Sequence, residues 1–338
     1  MKLIRIISLV MALALLAGCT AGTEPNGKET VSTAVPTTAP ETKPTQEPLV
    51  PVDCLLSIIA TDGVEQRTGT IRYESDGIHI VPDVLVDEYH TVLSPEGLEL
   101  YELRYNEEGI NDRRSEYIYN SDGHVTEYRY YYVDEDRLAN WTVYEYDADG
   151  HLLSTREYYG SEGKSSGAWE YSYDDQGNMI LSSYISMDGE NTWRYAYTYD
   201  DQGRTLTETT YFPYRSNDKH DCLGHYTYYY DDAGYLVKRL WTETTGSYFV
   251  HNDYYYTYNE AGLLTEIKEI DKRGKVDEVV TYTYDSQNRL TSMTDEEEDY
   301  YYSVTFVYGQ MELPKSLVDA AQIWSTRGLI AYYVSYDF

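Results

Sequence analysis

Aromatic residues recur at every second position over much of this chain. In Trp193-Arg-Tyr195-Ala-Tyr197-Thr-Tyr199 the rings fall on one parity, and Arg194, Ala196 and Thr198 fall on the other. A period of two puts successive side chains on opposite faces of an extended backbone, so the run predicts a β-strand with one aromatic and one polar face. It ends at Asp200-Asp-Gln-Gly203. An Asx side chain there can accept hydrogen bonds from the amides just beyond it, and glycine supplies the positive φ that a type I turn with a bulge requires. Further β-type segments follow such turns, for example Asn178 to Ile185 and Leu236 to Thr242. Other turn signals lie between units, such as Met187-Asp-Gly-Glu-Asn191 and Asp271-Lys-Arg-Gly-Lys275.

The unit repeats along the chain. Copies anchored on aromatic-x-Tyr read Tyr117-Ile-Tyr119-Asn-Ser-Asp-Gly123, Tyr144-Glu-Tyr146-Asp-Ala-Asp-Gly150 and Tyr171-Ser-Tyr173-Asp-Asp-Gln-Gly177. They continue with Tyr197-Thr-Tyr199-Asp-Asp-Gln-Gly203, Tyr228-Tyr-Tyr230-Asp-Asp-Ala-Gly234, Tyr256-Thr-Tyr258-Asn-Glu-Ala-Gly262 and Tyr282-Thr-Tyr284-Asp-Ser-Gln-Asn288. Asn288 keeps the rule, because asparagine tolerates the left-handed region better than other side-chain-bearing residues. A degenerate copy, Leu103-Arg-Tyr105-Asn-Glu-Glu-Gly109, precedes them. Two strands and two turns fill each unit of about 27 residues. The expected fold is all-β, a tandem antiparallel β-hairpin array that runs as a curled meander or solenoid. Tyr-x-Tyr strands of successive units lie two strands apart, so their rings line one face through the strand between them, and curling is what buries that face.

The motif resembles the YD repeat of the RHS family, whose consensus runs Tyr-x-Tyr-Asp-x-x-Gly-x-Leu. Gly150-His-Leu152, Gly234-Tyr-Leu236, Gly262-Leu-Leu264 and Asn288-Arg-Leu290 match its end; Gly177-Asn-Met179 nearly does, and Gly203-Arg-Thr205 shifts its leucine by one. The resemblance covers about Leu103 to Leu290 and implies β-hairpin spirals that can close into a hollow shell, as in insecticidal toxin complexes and teneurins. Three departures set this chain apart. Its unit is longer than the family's usual spacing of about twenty, seven or eight copies are too few to close a large shell, and no toxin domain is expected after them.

The N-terminus reads as an export signal. Lys2 and Arg5 precede an apolar run from Ile6 to Leu16, and Leu16-Ala17-Gly18-Cys19 is a small-residue cleavage site. It resembles the bacterial lipobox, which implies lipidation of Cys19 and a membrane anchor through acyl chains. Residues 1–18 are then the signal peptide and 19–51 a lipid-anchored Thr/Pro-rich linker, too poor in apolar surface to fold and expected to act as a disordered tether. Residues 52–100 carry β-type segments without the ring pattern (Leu55 to Ala60, Gly69 to Tyr73) and read as an N-terminal β cap. The tyrosine-rich repeats occupy 101–308. A C-terminal cap over 309–338 holds a short helix from Pro314 to Trp324, with Gly328 beyond it, then a strand from Leu329 to Phe338.

Charge narrows the partners. The formal net charge is −32, nearly all of it beyond the linker, which disfavours nucleic acid and anionic membrane surfaces as partners. Enzyme signatures such as His-Glu-x-x-His, Gly-x-Ser-x-Gly or a phosphate-binding glycine loop are absent from the sequence, and no cofactor is expected. Asp218, His220, Cys222 and His225 form the densest group of possible metal ligands, but their spacing matches no common zinc motif and a solvated loop accounts for them. Asp147-Ala-Asp149-Gly150 imitates only part of a calcium loop. Cys54 and Cys222 lie too far apart along a linear array to suggest a disulfide. Trp141, Trp169, Trp193 and Trp241, with Tyr195 and Tyr197, could serve as a platform for sugar rings or simply as the core of the curled sheet. The sequence therefore points to a surface-exposed, lipid-anchored, non-enzymatic scaffold that binds an extracellular protein or glycan. Alternatives are an accessory lipoprotein of an RHS-type system and a glycan-processing enzyme of unrecognised type.

Overall fold

The computed structural model describes residues 47–82, 89–160, 163–187, 191–213, 220–244 and 251–328. Cys19, residues 20–46 of the linker, Asp218 and the expected terminal strand from Leu329 lie outside them. The expectation of a disordered linker to residue 51 is corrected at its end, because Leu49, Val50 and Pro51 pair with Pro314, Leu313 and Glu312 as the start of a strand. Twenty strands follow one another: β1 (Leu49–Thr61), β2 (Gln66–Glu74), β3 (Gly77–Pro82), β4 (Tyr89–Leu93), β5 (Glu99–Tyr105), β6 (Asn111–Tyr119) and β7 (Val125–Tyr132). Next come β8 (Arg137–Tyr146), β9 (Leu152–Tyr159), β10 (Lys164–Tyr173), β11 (Met179–Ser186), β12 (Asn191–Tyr199), β13 (Thr205–Pro213) and β14 (His220–Tyr230). The last are β15 (Leu236–Glu243), β16 (Asp253–Tyr258), β17 (Leu264–Ile270), β18 (Val276–Tyr284), β19 (Leu290–Glu297) and β20 (Tyr300–Pro314). The chain is all-β in its described repeats, and every strand pairs antiparallel with the next, as the alternation predicts.

The meander closes on itself. β1 pairs with β20 from Leu49↔Pro314 to Thr61↔Ser303, while its Ser57–Thr61 stretch also pairs with β2, so the sheet of twenty strands is a barrel without a free edge. The expectation that too few repeats exist to close a shell is corrected here. Closure needs strands rather than Tyr-x-Tyr copies, and β1 to β4, which lack the ring pattern, supply the missing staves.

One parity faces inward all the way round. Tyr226, Tyr228, Tyr256 and Tyr282 are 2–7% exposed, whereas Tyr229 and Tyr255, on the other parity, are 40% and 38% exposed. Inward rings from β14 onward join Leu264, Ile267, Val280, Leu290, Met293, Val304 and Phe306 in one core with Ile58, Ile71 and Ile78 of the first strands. Burial of this size, at roughly 25 cal/mol per Å2 of apolar surface, is the main force holding the wall.

The turns are those the sequence spells. At each Asx-x-x-Gly corner the fourth residue donates to the carbonyl of the first, as in Gly177 N–H to Asp174 O (3.0 Å), and the first donates to the carbonyl of the fifth, as in Asp174 N–H to Asn178 O (2.9 Å). Gly177 has φ 84° and Asn288 φ 62°. The expected degenerate copy at Leu103 does not belong to this series. Its turn, Asn106–Gly109, lies between β5 and β6, one strand before Asn120–Gly123, and so sits at the opposite end of the barrel; the in-register predecessor is Ser94-Pro-Glu-Gly97.

After β20 the helix expected from Pro314 to Trp324 is present: with Pro314 as its N-cap, it opens as a 3-10 turn at Lys315–Leu317, continues as α1 (Val318–Ile323) and runs on as a wider turn over Trp324–Gly328. Trp324 is fully buried. The bulge of β1 after Leu55 releases that residue's amide, which donates to Ser325 Oγ (2.8 Å), while Tyr73 Oη donates to Leu55 O (2.8 Å). Gly97 (φ 92°) lies so close to Gly328 that a Cβ there would come within 2.6 Å of the Gly328 carbonyl oxygen. The tail is thus pinned across the seam.

Candidate functional site

The second tyrosine of each Tyr-x-Tyr pair is gripped by the unit before it. In seven units its hydroxyl donates to a backbone carbonyl at the start of the adjacent strand, which the preceding turn leads into: Tyr119 to Glu99 O (2.6 Å), Tyr146 to Val125 O (2.8 Å) and Tyr173 to Leu152 O (2.9 Å). The series continues with Tyr199 to Met179 O, Tyr230 to Thr205 O, Tyr284 to Leu264 O and Tyr308 to Leu290 O. The residue between Gly and Leu in the preceding unit lies over the same ring. His124 stacks on Tyr146 (4.9 Å between centroids), His151 on Tyr173 (4.8 Å) and Tyr235 on Tyr258 (4.9 Å). Guanidinium groups do likewise, Arg204 over Tyr230 and Arg289 over Tyr308. The clasp is not legible in the sequence because the position carries His, Arg, Tyr, Asn or Leu; where a group lies over the ring it is a flat one, imidazole, guanidinium or phenol, and not a single residue type.

Polar groups interrupt the inward aromatic wall, among them Glu208 beside Tyr228 and Arg239 over Tyr226 and Tyr254, and at two further places buried carboxyls collect. Between β4 and β7, Tyr89, Glu102, Arg104, Arg113, Ser115 and Tyr130 line a cavity of 280 Å3. Arg113 Nη1 donates to Tyr130 Oη (2.9 Å) and Thr91 Oγ1 to Glu102 Oε2 (3.4 Å). Burial pushes the Glu102 carboxyl up to about 7, and burial with the neighbouring Glu102 pushes Glu99 up to about 8. Chemically this cavity offers guanidinium and carboxyl groups to a small polar guest. Across the barrel, burial first and Asp295 second raise Glu278 to about 8, and burial raises Asp295 as well. Asp295 Oδ1 has no hydrogen-bond partner and the residue is 5% exposed. Glu99, Glu102 and Glu278 are thus held at least partly protonated near neutrality.

The six residues of the expected aromatic platform do not share one surface. Trp169, Trp193, Tyr195, Tyr197 and Trp241 point inward, as their cross-strand partners Tyr184, Thr210, Glu208 and Tyr226 do. Trp169 packs on Tyr195 (5.9 Å) and Trp193 on Phe212 (4.6 Å), while Trp241 stacks on His251 (3.9 Å). Trp141 faces outward, stacked on Tyr158 at 5.1 Å and 10°. Of the possible metal ligands, Asp218 lies outside the described residues and of His220 only the backbone, in β14, is described. Cys222 Sγ lies 3.7 Å from Thr244 Oγ1, and Cys222 and His225 enter no three-ligand group among the described residues. Cys54 is fully buried, and neither it nor Cys222 is in a disulfide.

The teneurin YD-shell family model matches residues 181–337 of the chain. No curated protein matches it. Among solved structures it is similar to TcdB2-TccC3-TEV, at 12% identity over 80% of this chain and 20% of that one, TM-score 0.30. It is also similar to the Photorhabdus luminescens Tc holotoxin pore, at 14% identity over 70% of this chain and 14% of that one, TM-score 0.26. A porin-like protein from Bacteroides uniformis matches at 15% identity over 75% of this chain and 96% of its own, TM-score 0.38. The chain thus spans about a fifth or less of the toxin-complex chains.

Proposed function

Since its repeats place this chain in the RHS/YD-repeat family, we propose that it is a non-catalytic scaffold, held at the bacterial cell surface through a lipidated Cys19, that offers the outer wall of its barrel to an extracellular protein or glycan. The observation that carries this reading is the polarity of the wall. Rings and aliphatic side chains point inward, and Lys238, Glu266, Lys268, Thr281, Thr294 and Thr305 point outward. A barrel crossing a lipid bilayer needs the reverse, an apolar band outside and polar groups within. This wall suits water on its outer side, and the net charge of −32 favours partners with basic surfaces. The outward Trp141–Tyr158 stack is the part of the aromatic set suited to a sugar face or an apolar side chain.

Two measurements test this. Labelled palmitate should enter the protein in a bacterial host, and Cys19→Ala should abolish its incorporation. The soluble mature protein, screened against glycans and extracellular proteins, should bind saturably, with affinity that falls as salt rises and falls again in Trp141→Ala. Absence of saturable binding, or turnover of a glycan by the purified chain, would overturn the scaffold reading.

A further inference from the structure

Two groups of three possible metal ligands occur among the described residues, Asp147/Asp149/His151 and Glu74/Asp76/His79. The first belongs to the repeat. His151 Nδ1 meets Asp147 Oδ2 at 2.9 Å, but Asn178 meets Asp174, Arg204 meets Asp200 and Arg289 meets Asp285 in the same way one or more units on. A role filled equally by amide and guanidinium groups is not metal ligation. His151 is a turn fastener that also stacks on Tyr173.

The second group lies off the repeat, at the hairpin of β2 and β3, and has no counterpart in the units. His79 is buried, with 7% of its side chain exposed, although it stands on the outward parity of β3. Its Nε2 meets Asp76 Oδ1 at 3.0 Å, and its Nδ1 meets His90 Nε2, on β4, at 3.0 Å. Glu74, which closes the hairpin opposite Gly77, brings a third donor, and the three ligand atoms lie within 4.8 Å of one another. A tetrahedral zinc ion bound at about 2.0–2.2 Å holds its ligands roughly 3.4 Å apart, so small side-chain rotations of the two exposed carboxylates suffice. The geometry points to a site here for one divalent transition-metal ion of the zinc type, ligated by Glu74, Asp76 and His79 Nε2. With the metal in place of a proton on Nε2, the Nδ1–H of His79 donates to His90 Nε2. That is the second hydrogen bond by which a ligating histidine is usually oriented, which makes His90 a positioning residue. Imidazole in the donor set favours zinc-like ions over calcium or magnesium, and water completes the coordination.

The test uses the full mature protein, stripped with a chelator and titrated with Zn2+ by calorimetry in about 5 mM Ca2+, which occupies the diffuse acidic surface. One ion should bind per chain, and Co2+ should give a visible ligand-field spectrum. Glu74→Gln and Asp76→Asn, exposed positions that leave the core intact, should each weaken binding at least about tenfold, and His90→Gln by about 10- to 100-fold. Asp149→Asn should leave it unchanged. No saturable Zn2+ binding under Ca2+, unaltered affinity in either Glu74→Gln or Asp76→Asn, or loss in Asp149→Asn would overturn the assignment.

Discussion

At the scale of single residues, the repeat is held by a hydroxyl and a flat neighbour. The Tyr146 and Tyr173 hydroxyls donate to carbonyls 2.8 and 2.9 Å away, in half-buried surroundings. Tyr146→Phe and Tyr173→Phe keep the ring stacking and remove only the hydrogen bond, so each should lower unfolding stability by about 1 kcal/mol. The two losses should not simply add, since adjacent units share a strand. Denaturant titration of both single variants and the double variant reads this directly, and no change in any of them would remove the clasp from the account. The same scale shows why a shifted letter was readable. Thr205 takes the inward place that leucine holds elsewhere and receives the Tyr230 hydroxyl on its carbonyl, while Leu206 is 38% exposed. At Asn288, φ 62° predicts that Asn288→Ala costs about 1 kcal/mol and Asn288→Gly almost nothing.

At the scale of elements, the strands most clearly written in the sequence are those with rings on one parity, and their turns followed from Asx and Gly alone. The first four strands and the inward charges were less legible. Alternation in Glu99-Leu-Tyr-Glu-Leu-Arg-Tyr105 does not tell which parity turns inward, because the register shift after Arg104 changes it. Glu102 and Arg104 therefore face the interior, where a reading of Leu103 and Tyr105 as the ring face would place them outside. Their burial has a consequence in pH. Glu99, raised to about 8, and Glu102, raised to about 7, bind protons more tightly folded than unfolded, where a carboxyl titrates near 4.3. The folded state is therefore favoured by protonation. Stability should be greatest below about pH 4.5 as far as these two groups are concerned, should fall as pH rises through 7 and 8, and should level off above that. Glu99→Gln and Glu102→Gln should flatten this slope, matching the parent protein near pH 5 and exceeding it near pH 9. Parallel pH profiles for parent and variants would sink this reading.

At the scale of the whole molecule, the decisive event is the meeting of β1 and β20, which no local pattern announces. Strand pairing over such a separation depends on two stretches finding each other, and their own sequences show only that both are extended and apolar on one parity. In an open hairpin array each unit leans only on its neighbours, so unfolding spreads from the ends and the terminal strands exchange their amide hydrogens first. A closed barrel has no ends. Ser57–Thr61 are hydrogen-bonded to β2 on one side and β20 on the other, and Leu55 is tied to Ser325 and Tyr73 besides. Amides of β1 and β20 should then exchange as slowly as those of β10 and β11, and thermal unfolding should be one cooperative transition. Ile58→Asp, placing a charge 5% exposed against Phe306, should break the seam at a cost of about 3 kcal/mol or more. The variant should show fast exchange along β1 and β20 and a broadened, stepwise melt, while the turns of the central units stay protected. Rapid exchange of both seam strands in the parent protein would mean that the chain is an open spiral, and that the tail through Trp324, not the β1–β20 pairing, guards its ends.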